Sequence, residues 1–387
     1  MTKARLAAAT TIPALAALLL LASTGPGSAQ QTPTVYRWES FTRADGLPSY
    51  KAYAVVVDDD RVWIGTDQGL ARFEDGAFTT YTREDGLGHN VVINLTLDEA
   101  TGDLWAGTVA GLTRYSAGRF ETFTQLNSGL LNDMVYCVEV DGHHVWAATA
   151  AGVSRYDTRT DQWDIWNETN APMHEPWTYG VAAAEDFVYV GAWGGGLLEY
   201  NKTTGTWKDY VDPDHEMELD VFPHDGLVHD IVSFVDYEQD LVWVGTYFGL
   251  SIFDGTRWRG YFEEDSGLVS NFINYVKARD RVGWMATDSG LSSFDGTHWR
   301  TYTRIEDGAG EVVVSTVDGT VVERVRTPTA PAHNFVLGID FQGEDIWIST
   351  ENGVSRGTPD PEADRRHGLA TLSPASATAG RKPRTQR

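Results

Sequence analysis

The sequence predicts an all-β fold: a seven-bladed β-propeller of four-stranded blades, the last blade closed by the N-terminal strand. Three observations predict it. A short phrase returns seven times, as VWIGTDQGL, LWAGTVAGL, VWAATAAGV, VYVGAWGGGL, VWVGTYFGL, GWMATDSGL and IWISTENGV. Its aromatics are Trp63, Trp105, Trp146, Tyr189, Trp243, Trp284 and Trp347, at successive spacings of 42, 41, 43, 54, 41 and 63 residues. A period near 42 with four β-like segments in each period marks a propeller, because one small sheet cannot bury both its faces alone. The segments themselves are the second observation. HNVVINLTLD, GDLWAGT, AGLTRY and GRFETFT follow one another in the second period, each rich in β-formers and each set off by a turn signal. Thirdly, the seventh period stops at Gly353-Val354-Ser355-Arg356 without a fourth strand. YRWESFTRADGL (36–47) matches the fourth-strand phrase AFTTYTREDGL (77–87), so the chain's start supplies what its end lacks. Closure of that kind removes two sheet edges.

Residues 1–29 read as a cleaved signal peptide. Lys3 and Arg5 precede an apolar run over 6–22, and Gly27-Ser28-Ala29 offers a small-residue cleavage site before Gln30. No cysteine follows that site, which argues against a lipoprotein. No later stretch reaches the roughly 18 apolar residues of a membrane span. The expectation is a periplasmic or extracellular protein without membrane insertion. The propeller is expected over 30–356. In each copy the turn between the second and third strands carries glycine (Gly69, Gly111, Gly152, Gly195 or Gly196, Gly249, Gly290, Gly353), as a tight hairpin needing positive φ demands. The repeated aromatic is expected to pack between blades. Residues 357–387, rich in Pro, Ser, Ala, Thr and Arg, read as a disordered tail.

The formal net charge is −25, and loss of the signal peptide would remove Lys3 and Arg5 but no acid. Such a field disfavours nucleic acid and anionic membranes and favours cations. The single cysteine, Cys137, lies in the apolar segment MVYCVEV and has no disulfide partner; it reads as a buried small hydrophobe.

Strand direction puts the blade-joining loops and the second-to-third turns on one face. Both long insertions, 211–227 and 304–332, fall in blade-joining loops and are expected to decorate that face. The second contains EVVVSTVDGTVVERV, a hairpin with an Asp-Gly turn. Aligned on the repeated aromatic, the innermost strands begin with Tyr50, Asn90, Asp133, Asp230, Asn271 and Asn334. The positions before them are Ser49, His89, Asn132, His229, Ser270 and His333, with His174-Glu175 or Glu175-Pro176 in the fourth repeat. Two readings stand: convergent polar groups at a channel mouth, or side chains that cap turns. His89, His229 and His333 are candidate ligands of a divalent metal. Trp177, Trp193, Phe222, Tyr247 and Phe248 offer flat rings to a sugar or aromatic ligand, or to packing. Asp212, Asp214, Glu216, Glu218 and Asp220 offer oxygens of the kind calcium takes. No nucleophile elbow, phosphate loop, CxxC or haem-attachment motif is found.

The second repeat, GLGHNVVINLTLDEATGDLWAGTVAGLTRY, resembles the two-component regulator propeller repeat, and the fifth and sixth repeats follow it with small departures. The resemblance spans 36–356. It implies a propeller of the kind that forms extracytoplasmic sensors of membrane histidine kinases, often as two propellers with a β-sandwich and a transmembrane helix. This sequence shows one propeller and none of the other parts. The expected function is therefore an exported, non-catalytic propeller that binds a small ligand or an exported protein partner at the channel mouth. The alternative is a metal-dependent propeller enzyme resembling the virginiamycin B lyase type, with His89, His229, His333 and Glu175 at the mouth.

Overall fold

A computed structural model describes residues 34–213 and 226–369. The expected signal peptide, all but two residues of the acidic insert's run from 212 to 225, and the chain beyond 369 lie outside the described residues. Seven antiparallel sheets form a ring. In the first blade the strands run Ala52–Asp58, Arg61–Thr66, Leu70–Glu74 and Ala77–Tyr81, here called A to D from the channel outward. The other A strands are Val92–Asp98, Val135–Asp141, Thr178–Ala183, Val232–Glu238, Ile273–Arg279 and Val336–Gln342. Each touches the A strands on both sides, so the seven enclose a channel.

The ring closes as the sequence predicts. Tyr36–Phe41 pairs antiparallel with Gly353–Pro359, from Tyr36 opposite Pro359 to Phe41 opposite Val354, as the D strand of blade seven. The signature aromatics are the packing between blades: all seven are at most 5% exposed. Burying a ring of this size contributes roughly 4–6 kcal/mol before entropy is counted. Gly283 shows how closely they fit, because a Cβ there would stand 2.2 Å from the Trp243 ring of the preceding blade. The turn glycines also act as expected. Gly353, at φ +101, sends its N–H across the ring to the Tyr50 carbonyl and so ties blade seven to blade one.

Two features differ from the sequence reading. The insertion after blade six forms a hairpin, Gly310–Thr316 and Val321–Thr327, but its first strand pairs with the D strand His298–Arg304. It therefore widens blade six to six strands at its outer edge instead of decorating the channel mouth. Its alternating apolar residues favour this, since Val312, Val314 and Val325 pack into a core with Tyr36 and Trp38. The boundary read at 356 also moves. The C strand continues to Pro359, and helix α1 (Pro361–Arg366) follows, capped by the Asp360 side chain at the Ala363 N–H. Ala363 and Leu369 are buried in the same core, and the Asp364 carboxylate accepts the N–H groups of Thr34 and Val35 at 3.1 and 2.9 Å. Two buried anchors and these bonds order residues 357–369 despite a composition typical of disorder.

Candidate functional site

The expected polar ring is a set of turn caps. Ser49, His89, Asn132, His229, Ser270 and His333 each accept the backbone N–H two residues on, at 2.8–3.2 Å. The three histidines do so through Nδ1, which fixes the proton on Nε2. Asn90, Asp133, Asp230, Asn271 and Asn334 each accept an N–H from the end of the preceding blade, of Arg83, Gln125, Asp212, Glu263 and Arg304, at 2.6–3.0 Å. They lock the crossing from the outer strand of one blade to the inner strand of the next. Tyr50 breaks the pattern: it is exposed, with the Arg43 guanidinium 5.2 Å over its ring. In blade four the register of Thr178 opposite Ala192 assigns Glu175 and Pro176 to these two columns. Glu175 is exposed and Pro176 has no side-chain acceptor to offer.

The metal trio is not brought together. Among the described residues, His89, His229 and His333 form no group of metal-ligating distances. They stand on three separate blades with Nδ1 already engaged. Burial lowers the pKa of His229, against the pull of Asp230, and its ring stacks on Phe248 at 4.1 Å. Of the expected calcium ligands, all but Asp212 lie outside the described residues.

Of the expected aromatics Trp193 and Tyr247 converge, with partners the sequence reading missed, while Phe222 lies outside the described residues. Tyr136 stacks on Tyr179 at 4.2 Å, Tyr179 meets Trp193 at 5.1 Å, and Trp193 meets Tyr247 edge-on at 4.7 Å. Tyr247 then stacks on Phe272 at 3.8 Å, so one arc of rings spans blades three to six at the mouth. Trp177 stands beside it, half exposed. The arc is largely satisfied by its own contacts.

The cavity lies deeper. A space of about 400 Å³ occupies the channel from Asn94, Cys137, Phe234 and Tyr275 down to the A–B turn residues Glu99, Ala100 and Gly142. None of the expected ring or aromatic residues lines it. Its walls carry Thr96, Glu139, Asp236, Lys277 and Asp340 instead. These share one structural column. Each A-strand residue opposite a signature aromatic belongs to it: Val56, Thr96, Glu139, Ala182, Asp236, Lys277 and Asp340. Side chains two residues earlier share their face, and there Phe234 and Tyr275 meet at 4.0 Å to roof the charged level.

Each carboxylate has a structural bond and capacity left over. Asp340 accepts the Val57 N–H at 2.7 Å, Asp236 accepts the Ala278 N–H at 2.6 Å, and Glu139 accepts from Ala183. In each case the acceptor serves the inner strand of the next blade, whose amide would otherwise face the channel unpaired. Burial pushes the Glu139 carboxyl up to about 7, a rise to which Asp236 adds and which Lys277 opposes. Asp236 is raised for the same first reason. Burial works against the Lys277 ammonium, but Tyr275, Asp340, Asp236 and Glu139 outweigh it and hold the ammonium charged. No carboxylate of the described residues comes within ion-pair distance of Lys277. Cys137 also lines the cavity; burial pushes its thiol up to about 12, so it reacts slowly at neutral pH. The arrangement is a chamber with three carboxylates against one ammonium at its charged level, and with Asp98 and Glu99 at its A–B end.

No family model matches the chain, and no curated protein does. Solved structures do. The extracellular domain of a putative hybrid two-component system from B. thetaiotaomicron is similar at TM-score 0.63 and 18% identity, over 84% of this chain and 42% of that one. A second such domain from that organism gives 0.60 and 17%, over 84% and 39%. The chain thus spans about two fifths of these relatives' length. Virginiamycin B lyase from Staphylococcus aureus gives 0.58 and 12%, over 84% of this chain and 99% of that one. At these identities the likeness is one of fold. Among the described residues no helix is long and apolar enough to cross a membrane.

Proposed function

We propose that this chain is an exported, sensor-like binding propeller whose channel takes a small ligand bearing a positive charge. The observation that carries the reading is the channel cavity with Glu139, Asp236 and Asp340 on its wall and a single ammonium, Lys277, among them. A cation placed there meets carboxylate oxygens in a low-dielectric space, where such contacts are stronger than in water. It also meets the rings of Phe234 and Tyr275, whose faces favour cations. The acidic surface of the whole protein raises the local concentration of such ligands. The two-component propeller resemblance supports a sensing role outside the cytoplasm. The rival metal-dependent lyase reading needs histidines that converge at the mouth, and the three candidates each cap a turn on a different blade.

A thermal-shift panel tests this. Small primary and quaternary ammonium compounds, organic carboxylates and neutral sugars are each added to the purified chain. The proposal expects stabilisation by ammonium compounds, lost in Asp236→Asn. Stabilisation by sugars alone, lost instead in Trp193→Ala, would move the site to the aromatic arc.

A further inference from the structure

We propose that His143, His144 and Asp157 form a site for a divalent transition metal on the A–B face of blade three. Their ligand atoms all lie within 4.8 Å of one another. His143 Nε2 stands 3.8 Å and His144 Nε2 4.0 Å from the same Asp157 Oδ2. These separations are too long for hydrogen bonds. Among the described residues neither imidazole has a hydrogen-bond partner, so two rings and one oxygen face a common point without satisfying one another.

The backbone explains why neighbours in sequence converge. In a strand, adjacent side chains point to opposite faces. His143, however, lies in the A–B turn after Gly142, and strand B begins only at His144. The two rings therefore lie side by side, centroids 4.0 Å apart and tilted by 38°. Asp157 sits directly opposite His144 on the next strand. Its other oxygen is fixed by the N–H groups of Arg159 and Thr160 at 2.8 and 3.2 Å, which aims Oδ2 at the rings. Those same bonds hold the Asp157 carboxyl below its usual range, the Arg159 amide foremost. Burial, with Arg155 and His143, lowers the pKa of His144.

Two nitrogens and one oxygen suit zinc and its later first-row neighbours, not calcium or magnesium, which take mostly oxygen. Ligands ~2.1 Å from a tetrahedral ion stand about 3.4 Å apart, so the rings need only small rotations. Asp141 is engaged by Lys202 at 2.6 Å, which leaves the fourth position to water. Arg155, whose charge acts on His144, is itself paired with Asp164 at 2.6 Å. The site stands apart from the channel reading and does not rest on it, although Gly142 borders both.

The test uses the full chain, free of any histidine tag, stripped with chelator and titrated with zinc by calorimetry at neutral pH. One saturable equivalent is expected. His143→Ala and His144→Gln should each weaken binding about tenfold or more, and Asp157→Asn should do so while its remaining oxygen keeps the turn. His174→Gln, on another blade, should change nothing. Cobalt should give a visible tetrahedral absorption band that the same three variants abolish. Absence of a saturable site, or zinc binding that survives both His143→Ala and Asp157→Asn, overturns the proposal.

Discussion

Replacing Glu139 by glutamine should stabilise the propeller at alkaline pH and leave it unchanged at acid pH. Burial pushes this carboxyl from 4.5 up to about 7. Between those values the folded protein holds a proton that the unfolded chain releases. Stability must therefore fall as pH rises through that window, because the native state binds more protons there. At roughly 1.4 kcal/mol for each pH unit, the full cost above the folded pKa is about 3 kcal/mol. Glutamine has the same length and keeps an oxygen for the Ala183 N–H, so the substitution removes the titration and little else. Urea denaturation of both proteins at about pH 4 and about pH 8 reads the effect. The expected result is coincident midpoints in acid and a variant more stable by about 3 kcal/mol in alkali. Parallel profiles, or a variant less stable at alkaline pH, would show that the channel favours the charged carboxylate and would refute the reasoning.

Further outcomes follow from the same geometry. Lys277→Met leaves three carboxylates facing one another, so the thermal midpoint should drop at neutral pH and the deficit should shrink as acid neutralises them. The Arg300–Asp295 pair, 2.8 Å apart with both side chains wholly buried, should cost about 3–5 kcal/mol on Arg300→Met, read by chemical denaturation. Asp364→Ala removes the acceptor of the Thr34 and Val35 amides and should cost about 1–3 kcal/mol. Limited proteolysis with mass spectrometry should then show earlier cleavage on both sides of the closing strand.

The fold was legible because its signal is periodic. Seven aromatics, four of their six spacings between 41 and 43 residues and each followed by a turn glycine, specify blade number, strand order and closure without any single strong residue. The site was less legible, for physical reasons that differ by residue. The Asn/Asp column was conspicuous in sequence because five of the seven blade crossings use its acceptor for a backbone N–H, and that use has no bearing on a ligand. Glu139, Asp236, Lys277 and Asp340 each sit seven residues before a signature Trp, with an apolar or aromatic residue on either side. A charge in the middle of an inner strand is costly unless it serves a purpose, so that column was the readable clue. Blade two hides the pattern, because its longer A–B turn puts Thr96 nine residues before Trp105. The helix after 359 was masked by its surroundings: a Pro/Ala/Ser-rich tail dilutes two apolar anchors, while the Asp360-Pro361 start was itself a helix signal. The hairpin at 310–327 was found, but sequence does not say whether a hairpin stands free or extends a sheet.

The central claim is that the channel cavity is open to small molecules and prefers cations, and Cys137 allows it to be measured. It is the only cysteine in the chain and it lines the cavity. Its rates of modification by a cationic and an anionic methanethiosulfonate of matched size can be compared by mass spectrometry on the native protein. The account predicts that the cationic reagent reacts about tenfold faster or more, that Asp236→Asn narrows the ratio, and that an ammonium ligand protects the thiol. Equal rates, or faster reaction with the anion, would contradict it.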